Sequence, residues 1–250
     1  MIYLDFITAF IISLVAGMST VIGSFIIFLN ITNNNINRFI TFCLSFSISI
    51  MIGISITDLI PISFFSIFYQ YNFPFNITTT LLSFGIGIII VLIINRFLDN
   101  NDSLYKLGIL SIIAIIVHNF PEGIATFMGS LKDSSLGIKL SIAIMLHNIP
   151  EGISIAVPIY YATKSKIKAI FSTFISGIAE PLGALFTYIF LKNIITDLFL
   201  NIILLIVAGI MITLAIHSIL PKALSYKQSK MLYLGIVTGI IIIVINHFIM

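Results

Sequence analysis

His118-Asn119-Phe120-Pro121-Glu122-Gly123-Ile124 returns 29 residues later as His147-Asn148-Ile149-Pro150-Glu151-Gly152-Ile153, and each copy falls in the middle of a long apolar run. Consecutive membrane-crossing helices run antiparallel. Two copies at equal depth in neighbouring spans are therefore related by an approximate two-fold axis in the membrane plane, the arrangement of inverted-repeat transporters. A weaker echo links Asp58-Leu59-Ile60-Pro61 to Ser218-Ile219-Leu220-Pro221. Together the echoes predict three helices, a central pair, and three more helices related to the first three.

The rest of the chain agrees with a bilayer setting. Of 250 residues, 59% are hydrophobic and 8% charged, against roughly a quarter charged in an average soluble domain. Apolar runs able to cross a hydrocarbon layer of about 30 Å lie near 6–29, 39–60, 77–97, 107–128, 138–160, 169–191, 198–219 and 231–248. This predicts an all-α integral membrane protein of about eight helices, with residues 1–250 forming a single transmembrane domain. The joins carry breakers and charges, among them Asn33-Asn34-Asn35, Asp99 to Asp102, Lys132-Asp133 and Lys192-Asn193. The first span lacks a basic leader and a small-residue cleavage site, and reads as a retained helix.

Basic residues set the expected orientation, because cytoplasmic loops retain Lys and Arg. Odd-numbered connections carry nine: Arg38, Arg96, Lys106, Lys164, Lys166, Lys168, Lys222, Lys227 and Lys230. The other side carries Lys132, Lys139 and Lys192. Both termini are thus expected outside the cytoplasm, in a multi-pass protein of the cell membrane. The net charge of +3 is small and dispersed, which excludes the basic footprint of a nucleic-acid binder. The lone Cys43 excludes an intramolecular disulfide and a Cys-based zinc cluster.

All three glutamates of the chain, Glu122, Glu151 and Glu180, lie inside spans with no Lys or Arg at their depth. An ionised side chain there costs about 2.5–3.5 kcal/mol even on the lenient insertion scale, so compensation is required. Helical spacing puts His118 with Glu122 and His147 with Glu151 at i, i+4, while Asn119 and Asn148 stand at i, i+3 from the same glutamates. Each glutamate can therefore serve two adjacent ligand sets. The motif prolines free carbonyls near Val117 and Leu146, which in a bilayer need a cavity partner. Glu180, followed by Pro181, offers a third carboxylate. Two imidazoles, two amide oxygens and three carboxylates suit Zn²⁺, Fe²⁺, Mn²⁺ or Co²⁺, whereas the lack of thiolates argues against Cu(I). Asp58 and His217 are candidates for an entrance or a gate, with His217 read at the outer end of its span. No catalytic residues are expected: a metallohydrolase would place Glu beside the first histidine in H-E-x-x-H, and Asn stands there in both copies.

The two motifs followed by Ile175-Ser176-Gly177-Ile178-Ala179-Glu180-Pro181-Leu182-Gly183 resemble the ZIP family of metal transporters, in particular its bacterial ZupT type. The similarity is densest from His118 to Leu185. The resemblance implies uptake of zinc, iron and other divalent cations into the cytoplasm through a binuclear site, with the ions as cargo and no resident cofactor. Carried over, His118, Glu122, His147 and Glu151 would form a zinc-favouring site, and Asn119, Glu122, Asn148, Glu151 and Glu180 an iron-compatible one. Family members often carry an acidic residue before the proline of the seventh helix, where this chain has Ser218 beside His217. The expected partners are divalent ions and lipid, with a homodimer left open and nucleic acid excluded.

Overall fold

In a computed structural model, residues 2–97, 103–132, 134–191 and 196–249 are described. The expected joins at Asp99 to Asp102, Asp133 and Lys192-Asn193 lie outside them. Among the described residues the chain forms eight helical rods and no strand. Helix α1 is Ile2–Ser24, closed by a 3₁₀ turn at Phe25–Phe28; α2 joins Ile36–Ile54, a π turn Ser55–Leu59 and Ile60–Gln70. Helix α3 is Phe73–Phe97, α4 Leu104–Lys132 and α5 Ser134–Thr163. Helix α6 runs over Lys166–Gly177 and Ala179–Phe186 into a π turn Thr187–Leu191; α7 over Asp197–Thr213, a π turn Leu214–Ile219 and Leu220–Ser225; α8 is Ser229–Ile249.

Six stretches, Phe6–Phe28, Asn33–Gln70, Phe73–Phe97, Leu104–Leu131, Lys166–Phe190 and Asp197–Ser225, are each long and apolar enough to cross a membrane. Their outer surface is apolar as well, with Leu81, Leu82 and Ile167 among the most exposed side chains. Such a surface is tolerable only against lipid. The protein is thus an all-α, multi-pass membrane protein.

Two spans outrun their expected ends furthest, and the reason is local. A proline lacks the N–H that would bond four residues back, and a π turn absorbs that missing bond without ending the helix. The turn Ser55–Leu59 lies just before Pro61, and Leu214–Ile219 just before Pro221. Helix α2 therefore reaches Gln70 instead of stopping at 60, and α7 reaches Ser225 instead of 219.

The packing has the expected inverted pattern. Helix α1 packs against α5 as α6 packs against α4, and α2 against α8 as α7 against α3. The equivalence holds residue by residue, with positions of α1 and α6 lying 160 apart. A methyl on Gly17 would strike the Gly177 carbonyl, and one on Gly177 the Gly17 carbonyl. Likewise Gly23 admits the Ile149 carbonyl of α5, and Gly183 admits the Phe120 carbonyl of α4. Membrane helices approach this closely only where small residues permit it. The face of α1 that does so is built from Ala9, Ser13, Ala16, Thr20 and Ser24, all buried, while Ile7, Ile11, Val15 and Ile22 face outward. The central pair α4 and α5 is thereby enclosed, and the duplicated motif with it.

Candidate metal centre

Helices α4 and α5 run unbroken through Pro121 and Pro150 and bring their motif faces together. His147 Nε2 lies 3.0 Å from Glu122 Oε1. His118 Nε2 lies 3.1 Å from Glu151 Oε1 and 3.4 Å from Glu122 Oε1, without the angles of a hydrogen bond to either. The imidazole centroids are 6.0 Å apart. Exposure is 1% for His118, 3% for Glu122, 5% for His147 and 0% for Glu151. One ligand atom each from His118, Glu122 and His147 fits within a 4.8 Å span, the size of a single ion's coordination shell.

The asparagines sit on either side of this core, and their amides are oriented by backbone. Asn119 Nδ2 donates to the Ser176 carbonyl of α6 at 3.1 Å, and Asn148 Nδ2 to the Ala16 carbonyl of α1 at 3.1 Å. Ala16 and Ser176 are another pair 160 residues apart. With each amide nitrogen committed, the Oδ1 atoms are left free to accept or to ligate, and neither has a hydrogen-bond partner. Helix α6 breaks at Ile178, between its two α segments, and the second begins at Ala179 with Glu180 in its first turn. Glu180 Oε2 accepts a second bond from Asn148 Nδ2 at 3.0 Å. His118, Glu122, His147 and Glu151 are therefore in mutual contact, Asn148 and Glu180 form a buried pair, and Asn119 stands one helical turn from Glu122.

Its hydrogen-bond account is conspicuously open. Glu122 Oε2, both Glu151 carboxylate oxygens, Glu180 Oε1, both His118 ring nitrogens and the two asparagine oxygens are buried without a hydrogen-bond partner. Native interiors seldom leave such groups orphaned, since each costs about 1–3 kcal/mol and more when charged. Among the described residues the ion pairs at these carboxylates are with the histidines alone. The unpartnered atoms are all nitrogen and oxygen, the donor types of a borderline or hard divalent cation.

Asp58 and His217 do not join the cluster, and they do not form one mouth. Helices α2 and α7 cross antiparallel, with Ser55 Oγ 3.6 Å from Met211 Sδ and, further along, Asn201 Nδ2 2.8 Å from Ser66 Oγ. From the first of these contacts Asp58 lies three residues toward Ser66, and His217 six residues the opposite way. At 1.5 Å per residue they are separated by about 13 Å along the axis. The two candidates for an entrance or a gate thus lie at different depths, on opposite sides of the first α2–α7 contact. His217 and Ser218 border a cavity of about 200 Å³ with Asn95, Lys106 and Lys222, on the face that carries most basic residues. Between that cavity and the cluster, Met51, Met211 and Leu214 close a cleft beside His118 too narrow for water.

A family model described as ZIP zinc transporter matches residues 99–247. Over 255 residues the chain is 36% identical to "Zinc transporter ZupT" of Streptococcus mutans, covering 96% of each sequence. Proteins of the same name from Clostridium perfringens and Oceanobacillus iheyensis are 34% and 37% identical, over 95% of this chain and 94% and 96% of theirs.

The chain belongs to the ZIP zinc transporter family.

It is accordingly a transporter and not an enzyme, and the matched stretch contains every cluster residue. Sequence reading missed the backbone contacts of the two asparagines: the Ala16 and Ser176 carbonyls that accept from their amides. The 160-residue offset already legible between Asp58-to-Pro61 and Ser218-to-Pro221 would have pointed to α1 and α6 as equivalent neighbours of the motif helices.

Proposed function

We propose that the protein carries zinc across the cell membrane into the cytoplasm, through an ion site formed by His118, Asn119, Glu122, His147, Asn148, Glu151 and Glu180. One observation carries this reading. Three buried carboxylates lie on the same enclosed helices as two buried imidazoles and two buried asparagines, and most of their acceptor atoms are unpartnered. A dication supplies the compensation that no neighbouring lysine or arginine gives.

The centre has room in its donor list for two ions sharing Glu122 and Glu151. His118, His147 and the shared glutamates suit zinc; Asn119, Asn148, Glu180 and the shared glutamates form an all-oxygen set that suits Fe²⁺, Mn²⁺ or Co²⁺. The ion exchanges its hydration shell for these ligands. It must also leave again, so occupancy has to be weak enough for release. The narrow cleft at Met51, Met211 and Leu214 describes a conformation closed toward the His217 cavity. By the basic residues around it, that cavity faces the cytoplasm, and the Asp58 side faces out.

Reconstituted protein should accumulate zinc in liposomes, with Fe²⁺, Mn²⁺ and Co²⁺ competing in proportion to their fit. Repeating the flux with and without a pH gradient separates metal transport from simple proton conduction. Proton leak without metal uptake, or metal-free protein that takes up no stoichiometric ion, would remove the proposal.

A further inference from the structure

Helix α1 supplies no ionisable side chain to the centre, yet it holds the position that the inverted repeat pairs with Glu180. Gly17 answers Gly177, the Ala16 carbonyl answers that of Ser176, and Gly23 answers Gly183. In the same register the Thr20 backbone carbonyl lies against Gly152, and the Glu180 carbonyl against Gly123. Residue 20 is therefore the counterpart of residue 180.

Thr20 is fully buried, and its Oγ1 has no hydrogen-bond partner. A helical threonine ordinarily bonds the carbonyl three or four residues back, here that of Gly17 or Ala16, and Thr20 bonds neither. The Ala16 oxygen already accepts Ser19 Oγ at 2.6 Å and Asn148 Nδ2 at 3.1 Å. The helical N–H of Thr20 points at the same oxygen, which is therefore crowded with donors, and the hydroxyl takes no bond there. On the other half, Glu180 reaches the amide of Asn148 directly. The two-fold relation pairs Thr20 with Asn119 as it pairs Glu180 with Asn148, and the Thr20 side chain is two bonds, or about 2.5 Å, shorter. That shortfall is close to the width of a water molecule, and the Asn119 Oδ1 is unpartnered as Thr20 Oγ1 is.

We propose that Thr20 determines cation preference: its hydroxyl bonds a water carried by the ion on the Asn119 side, where the other half of the centre presents a carboxylate. The proposal rests on the transport reading of the cluster. It makes the centre tri-carboxylate by construction and gives hydrated ions a foothold that fully stripped ions do not need. Mn²⁺, which favours oxygen and water ligands, depends on that foothold more than Zn²⁺, which is satisfied by four protein donors.

The test is zinc uptake by proteoliposomes, read as KM and Vmax, with Mn²⁺ as competing inhibitor. Thr20→Val keeps the shape and removes the hydroxyl; Thr20→Ser restores it; Thr20→Glu imposes the symmetric carboxylate. Thr20→Val should weaken Mn²⁺ inhibition about three- to tenfold relative to the zinc KM, the value of one hydrogen bond. Thr20→Ser should return to within about twofold of wild type. Thr20→Glu should lower both KM and Vmax for zinc, because a fourth carboxylate binds more tightly and releases more slowly. An unchanged Mn²⁺-to-zinc ratio in Thr20→Val overturns the proposal, whether or not the metal-free melting temperature falls. So does a wild type that Mn²⁺ does not inhibit. Failure of the wild type to accumulate zinc at all overturns the transport reading itself.

Discussion

Replacing Glu122 by glutamine preserves its size and one acceptor and removes its charge, and the geometry ranks this change above the same change at Glu180. Glu122 Oε1 stands 3.0 Å from His147 Nε2 and 3.4 Å from His118 Nε2, so it addresses the ligand atoms of both imidazoles. Glu180 meets Asn148 alone among the expected ligands, at 3.0 Å. A charge-assisted interaction is worth about 1.5–3 kcal/mol. As the proposed ligand of two ions Glu122 makes two of them, which sets the cost of Glu122→Gln at about 3–6 kcal/mol, or roughly 10²- to 10⁴-fold in zinc affinity; Glu180, a ligand of one, sets Glu180→Gln at roughly 10- to 10²-fold. Titration of zinc against a competing chelator, on purified protein in lipid nanodiscs, reads both values. Glu122→Gln within about threefold of wild type, or a Glu180→Gln loss as large as that of Glu122→Gln, would refute the assignment of Glu122 as the shared ligand.

Two further outcomes follow from the packing and from the ligand chemistry. Gly23→Ala and Gly183→Ala each drive a methyl into the backbone carbonyl of a neighbouring helix, at Ile149 and Phe120, and backbone cannot swing aside. Each should cost about 1–3 kcal/mol, read as a lower melting temperature in detergent, while Gly85→Ala, with nothing within 4 Å of the added carbon, should not destabilise. Because ligand histidines must be neutral and ligand carboxylates ionised, protons compete with the metal. Zinc affinity should therefore fall as pH falls, and less steeply in His118→Gln and His147→Gln; the pH series of chelator titrations checks this.

The cluster was legible in the sequence to the extent that its chemistry is written in short-range spacing. His118, Asn119 and Glu122 share a turn of one helix, their copies share a turn of the next, and the cost of intramembrane charge makes a common partner necessary. Helix ends were less legible, because Pro61 and Pro221 look like stops until a π turn takes up the missing bond. That Asp58 and His217 stand on opposite sides of an α2–α7 contact was not legible either. A short apolar echo around Pro221 gives no sign of which side of the α2–α7 crossing a residue occupies, and that side is set by pairs such as Ser55 with Met211, far apart in sequence. Backbone contributions from Ala16 and Ser176 were invisible for the same reason: a carbonyl carries no side-chain signature, and only the close approach of α1 to α5 and α6 to α4 brings it to an amide. Thr20 carries no charge to draw notice, and its meaning depends on a register that α1 and α6 reveal only when packed.

The central claim is that the ion passes through the buried His and Glu cluster, and radiolabelled zinc uptake into proteoliposomes tests it most directly. Wild type, Glu122→Ala and Glu151→Ala should be compared at matched incorporation and matched melting temperature. Accumulation by wild type with both variants at the level of empty liposomes is the expected result. Zinc uptake by both variants at the wild-type rate would contradict it.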